Sequence, residues 1–170
     1  KQCRAGDWEH ALRVVAWVRE LGRSREDLSL LIAAAYIHDI GWRNVLPSQK
    51  ISFDELLRFE RQANENSEPY AHEFLEKNDF RETEIVMILR LVAAADAHQS
   101  QKEDEAVIVD ADNLSKLCIE HLQEKYRKEE WKKMAHMWEQ EFPSRMRTKQ
   151  GREIFLDLLQ KLMAAVEAAS

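Results

Sequence analysis

The sequence predicts an all-α protein, and three observations carry that expectation. Ala, Leu, Glu, Lys, Gln and Arg dominate the chain, and only four Gly and three Pro interrupt its 170 residues, so intrinsic preference favours helix nearly throughout. Apolar residues recur at i, i+3, i+4 and i+7 in segment after segment. Capping residues punctuate those segments at the spacing of helices joined by short turns. With 45% hydrophobic residues the chain can bury a sizeable core, and residues 1–170 read as one domain without repeat, low-complexity tract or linker.

The first helix is expected from Asp7 to Leu21, with Asp7 as N-cap, Gly22 as terminator and Trp8, Ala11, Leu12, Val15 and Val18 as its buried stripe. Ser24 and Asp27 resemble a capping box opening a second helix, apolar all round from Leu28 to Ile37 and therefore central. It ends in His38-Asp39-Ile40-Gly41, where Gly41 can adopt φ > 0 and release the backbone. Gly41 to Lys50, containing Pro47, reads as a loop. Ser52 and Glu55 form a capping box for a short helix through Phe53, Leu56 and Leu57. A polar stretch from Arg61 to Ser67 follows, and Pro69 opens another short helix ending near Asn78-Asp79. Ile85, Ile88, Leu89 and Val92 mark a helix that ends near His98. After a polar turn, Ala106, Val109, Leu114, Leu117 and Cys118 trace a helix containing Asp110 and Asp112. Two more amphipathic helices follow, separated by a break at Pro143. The first carries Trp131, Met134 and Trp138, and the second Ile154, Phe155, Leu158, Leu159, Leu162 and Val166.

Composition narrows the function. A net charge of −6 argues against a stable nucleic-acid complex, which needs clustered Lys and Arg, but not against a small phosphorylated substrate. Cys3 and Cys118, without a C-x-x-C neighbour, read as reduced thiols of a cytoplasmic protein. No apolar run reaches the roughly 18 to 20 residues that span a bilayer, and no leader opens the chain.

Adjacent His38 and Asp39 at the end of a buried helix point to a metal site, and His10 and Asp112 give them company. Local context makes them a set. Asp7-Trp8-Glu9-His10 with Arg13-Val14, then Ala34-Ala35-Tyr36-Ile37-His38-Asp39-Ile40-Gly41, then Asp110-Ala111-Asp112-Asn113-Leu114, resemble the HD-domain metal-dependent phosphohydrolase superfamily. The likeness covers about residues 7–117, with residues 118–170 as extra C-terminal helices on an HD-fold bundle. It implies His10, His38, Asp39 and Asp112 as metal ligands, with Asp112 rather than Asp110 as the last. Two imidazoles and two carboxylates suit one divalent ion, Mn, Co, Fe, Ni, Zn or Mg. The implied reaction is attack of a metal-activated water on a phosphate ester or anhydride of a small molecule such as a nucleotide, with Asp39 also orienting the water.

Some HD proteins use two further His ligands. Here Ser67 stands at the third-His position and His72 is off register, while His98 occupies the fourth. A mononuclear centre is expected, with His98 contacting phosphate or a metal-bound water. Arg13, Arg43 and Lys116 are further candidate substrate contacts. His121 and His136 have no motif context and read as ordinary helical residues. HD proteins often dimerise, which allows a homodimer, though no apolar stripe demands one. The alternative is a regulatory HD module that binds metal and nucleotide without turnover, because Gly41 and Trp42 occupy the stretch where acidic or basic helpers usually stand.

Overall fold

The computed structural model describes residues 6–46, 50 and 52–169; Cys3 and Pro47 lie outside them. Among the described residues eight α-helices follow one another: α1 (Asp7–Leu21), α2 (Leu28–Ile37), α3 (Phe53–Glu76), α4 (Glu82–Asp96), α5 (Glu103–Lys116), α6 (Ile119–Lys125), α7 (Trp131–Arg145) and α8 (Lys149–Ala168). No strand occurs among the described residues. No helix there is long and apolar enough to cross a membrane.

Two apolar clusters organise the packing. The first gathers α1, α2, α4 and most of α5 around Val14, Leu31, Ile88 and Ile108, together with Ala71 and Leu75 of α3. The second gathers α6, α7 and α8 around Leu122, Met134, Phe142 and Leu162. Helix α5 belongs to both, contributing Val107 to Ala111 to the first and Leu114 to the second. It is buried nearly along its whole length, including four acids, Asp104, Glu105, Asp110 and Asp112. Arg90 of α4 neutralises the first two by bonding both Asp104 and Glu105, since an unpaired buried carboxylate is costly.

Several boundaries differ from expectation. The two short helices and the polar stretch between them are one continuous helix, α3. Its buried residues Ala63, Ser67, Ala71 and Leu75 recur every fourth position, a small-residue seam easily overlooked inside a polar run. Pro69 sits within α3. The missing N–H would have bonded the carbonyl of Glu65, and both residues are exposed, so water can take that carbonyl. Ser52 and Glu55 do form the reciprocal capping box, with Glu55 N–H donating to Ser52 Oγ (3.2 Å) and Ser52 N–H to Glu55 Oε2 (2.7 Å).

Pro143 lies in the last turn of α7, which continues to Arg145. Leu117 and Cys118 leave the helical path, so a separate helix α6 follows α5. Asp7 is the first residue of α1 rather than its cap, which is Gly6 at φ 82°. Asp27, not Ser24, precedes α2, and its carboxylate is occupied by Arg25 (2.8 and 2.9 Å). On α1 the buried face is His10, Ala11, Val14, Val15 and Val18. Trp8 (58% exposed) and Leu12 (42%) lie at its edge, because burying His10 rotates the helix away from them.

Candidate metal centre

Three helices deliver the candidate ligands to one point. His10 stands on α1, His38 caps the C-terminus of α2, Asp39 follows it, and Asp112 lies on α5. The turn after His38 is a 3₁₀ segment, Ile40–Trp42, and Gly41 is not among the residues with positive φ. Its lack of a side chain serves another purpose. A Cβ there would lie 2.2 Å from the Ala63 carbonyl oxygen, so glycine lets α3 press against the His-Asp turn.

His10 Nε2 lies 3.1 Å from His38 Nε2, 3.5 Å from Asp39 Oδ2 and 3.3 Å from Asp112 Oδ1. His38 Nε2 is 3.6 Å from each of the same two carboxylates. The opposite ring nitrogens are committed outward. His38 Nδ1–H donates to the Ala35 carbonyl (2.9 Å), which can only accept. Ser115 Oγ donates to the Asp112 carbonyl (2.7 Å) and therefore accepts from His10 Nδ1–H (3.1 Å). Both Nε2 atoms consequently face inward with two carboxylate oxygens, and Asp112 Oδ1 is buried with no hydrogen-bond partner. Such an orphaned buried acceptor is costly unless a cation satisfies it. His10, His38 and Asp112 alone already form a group able to hold a metal ion, and the donor set fits a divalent one.

Electrostatics agree. Burial opposes charge on His38, yet Asp39 and Asp112 outweigh it and lift its pKa to about 9. Burial would raise Asp39, but His38 and His10 pull it down to about 2. Burial likewise opposes ionisation of Asp112, and Lys116, His10 and His38 hold it well below the usual carboxylate range. His10, where burial dominates, is lowered. The cluster thus holds two ionised acids against the positive charges of His38 and Lys116, and a divalent ion bound there would take the place of the His38 proton.

A family comparison now bears on this geometry. The family model described as HD domain matches residues 7–150. The chain belongs to the HD-domain family. Comparison with curated proteins and with solved structures returns no match. The matched span of this HD-domain protein runs past α5 through α6 and α7 and ends at the second residue of α8.

The centre opens on a cavity of about 410 Å³. One face of α7, with Met134, Met137, Trp138 and Phe142, forms an apolar wall, and Phe53 and Leu56 of α3 face it. Asp39, 39% exposed, is the most accessible of the four candidate ligands.

The four predicted substrate contacts divide evenly. Lys116 and His98 line the cavity. Lys116 Nζ bonds Asp112 Oδ2 (2.6 Å), and His98 Nδ1 lies 3.9 Å from that oxygen. Burial, and then the charge of Lys116, lowers the His98 pKa to about 4. Arg13 and Arg43 do not line the cavity. Arg13 bonds Glu124, and Arg43 stands 5.9 Å over the Tyr70 ring. Ser67 is buried in the seam of α3. His72 is half exposed beside Glu76.

Sequence reasoning missed three groups. Asp96, at the end of α4, lines the cavity and burial raises its pKa to about 7, tempered by Ser67. Arg145 lines it too, and its i, i+3, i+4 spacing from Phe142 and Glu141 was the available signal. His121 is buried and also lines it. No motif near it marks it, because His10 and Trp138, which pack on its ring, come from α1 and α7.

Proposed function

We propose that this HD-domain protein is a phosphohydrolase dependent on one divalent metal ion held by His10, His38, Asp39 and Asp112. Its substrate would be a phosphate ester or anhydride of a small molecule, such as a nucleotide. The observation that carries this reading is the buried, unpartnered Asp112 Oδ1 facing two inward Nε2 atoms. A bound divalent ion supplies Lewis acidity, making water a nucleophile at neutral pH and neutralising charge on the phosphoryl group.

The chain's own residues do the rest. Asp39 is accessible from the cavity and ionised, so it can orient the attacking water by accepting its proton in a hydrogen bond. Lys116 ties up Asp112 Oδ2, leaving Oδ1 for the cluster, and its charge faces an arriving phosphate. Ala35 and Ser115 hold the two imidazoles in the tautomer that presents Nε2, a support that ligating histidines commonly require. Ser67 in the third-His position offers no imidazole for a second ion, which favours a single one.

Elemental analysis of the purified chain is expected to return one metal per molecule. Incubation of the metal-loaded protein with a nucleotide panel and Mn²⁺ should release phosphate or pyrophosphate. Asp39→Ala should lose both metal and hydrolysis with little change in helical content by circular dichroism. Nucleotide binding without any phosphate release would instead assign the chain to the regulatory class, and metal-independent hydrolysis would overturn the proposal.

A further inference from the structure

His121 of α6 is 3% exposed, and its ring meets the His10 ring at 5.0 Å between centroids, inclined by 62°. Tyr126 and Trp138, at 6.1 and 5.7 Å, hold it from other sides. Aromatic packing alone would explain a phenylalanine here. The nitrogens need a separate account. Arg13 Nη2 lies 3.3 Å from His121 Nδ1, and a guanidinium can only donate. Nδ1 must therefore accept, and the ring proton resides on Nε2. Arg13 is itself fixed by two bonds to Glu124, at 3.2 and 2.6 Å, the bidentate arrangement that best locks a guanidinium.

The chain Glu124 to Arg13 to His121 thus ends in an N–H of defined direction on a ring that lines the cavity beside a candidate metal ligand. Among the described residues the side-chain hydrogen bond of the His121 ring is the one to Arg13, made at Nδ1. With Nδ1 accepting from Arg13, the ring is neutral and its one N–H sits at Nε2. A neutral donor with no accepting lone pair on that side selects for acceptor oxygens.

We infer that His121 Nε2–H donates to an oxygen of the phosphoryl group bound at the centre, and that Arg13 and Glu124 are positioning residues that hold its tautomer. The inference rests on the phosphohydrolase reading for the identity of the ligand, and its test can fail separately. Arg13, expected from sequence to meet phosphate directly, would on this account act one residue removed.

The test uses the full chain with selectively ¹⁵N-labelled histidine. Long-range ¹H–¹⁵N correlation of the metal-free protein should show His121 with an unprotonated Nδ1 and a protonated Nε2, and Arg13→Met should move it toward a mixture of tautomers. With Mg²⁺ present, inorganic phosphate should shift the His121 Nε2 resonance. His121→Phe keeps the ring packing but removes the donor, and should weaken phosphate binding about tenfold, as loss of one hydrogen bond to a charged group implies, without changing metal content. His121→Gln, whose amide reaches the Nε2 position, should recover most of that loss. A protonated Nδ1 in the wild type, or wild-type phosphate affinity in His121→Phe, overturns the inference and leaves the hydrolase reading standing. Phosphate binding through His121 without turnover of any substrate supports the inference and removes the hydrolase reading. Wild-type protein that binds no phosphate overturns both.

Discussion

Asp110 and Asp112 are neighbours on α5, both acids and both buried, at 0% and 3% exposure, yet they serve opposite ends. Asp110 is saturated. It accepts from Arg147 N–H (3.0 Å), Thr148 N–H (2.8 Å) and the Thr148 hydroxyl (2.7 Å), and so ties the start of α8 to α5. Thr148 in turn caps α8 by accepting from Gly151 N–H (2.9 Å), and a Cβ on Gly151 would come within 2.5 Å of Asp110 Oδ2. Asp112 is left with one oxygen unsatisfied and turned toward two imidazoles. Successive faces of one helix thus separate tasks: a fully paired acid holds the fold, and an acid with spare capacity marks where something else must bind.

That contrast can be broken from either side. The largest effect is expected from Asp112→Asn, which keeps the shape and removes the charge. It should empty the centre in elemental analysis and lower hydrolysis by at least about a hundredfold, since even residues that merely support metal ligands cost up to that much. Helical content should stay the same. Asp110→Ala should do the reverse, destabilising the fold by about 2–4 kcal/mol in urea denaturation because backbone and hydroxyl donors lose a buried carboxylate. At low denaturant that variant should still bind one metal. Equal metal loss in both variants would show that the two faces are not separable.

The smallest expected effect sharpens the comparison elsewhere. His98 adopts φ 52° immediately after α4, and the Gln99 N–H to Ala94 carbonyl bond closes a Schellman turn around it (3.1 Å). Glycine normally fills that place. His98→Gly should therefore leave stability unchanged or raise it by about 0.5 kcal/mol, the relief of left-handed strain less the added freedom of the unfolded chain. It should weaken substrate turnover at the same time, measured as a rise in melting temperature against a fall in kcat/KM. A left-handed histidine at a cavity wall, where glycine would be easier, is strain of the kind that function maintains.

Much of this molecule was legible in sequence, for reasons that can be stated. Helices α1, α4, α5 and α8 follow from apolar spacing and nearby cap or turn residues, which are local properties. The His-Asp pair, His10 and Asp112 were visible through their local motifs. Elements that depended on distant neighbours were misread. The stretch from Arg61 to Ser67 reads as a polar interval between two short helices until Gly41 presses against Ala63 and a seam of small residues becomes a buried face. Arg13 lies one helical turn from His10, but turn spacing does not say which way a long side chain swings. Its partner Glu124 is 111 positions away.

The sequence by itself determined that the chain is helical, the courses of α1, α2 and α4, and which His and Asp residues could ligate, because caps, periodicity and motif context act over a few residues. Only the tertiary structure decided that α3 is continuous, that Gly41 serves close approach instead of a left-handed turn, and that His121 joins the cavity while Arg13 and Arg43 do not. Each of those outcomes depends on which side chain another helix brings within hydrogen-bond or van der Waals reach, and that is fixed by packing three-dimensional faces rather than by order along the chain.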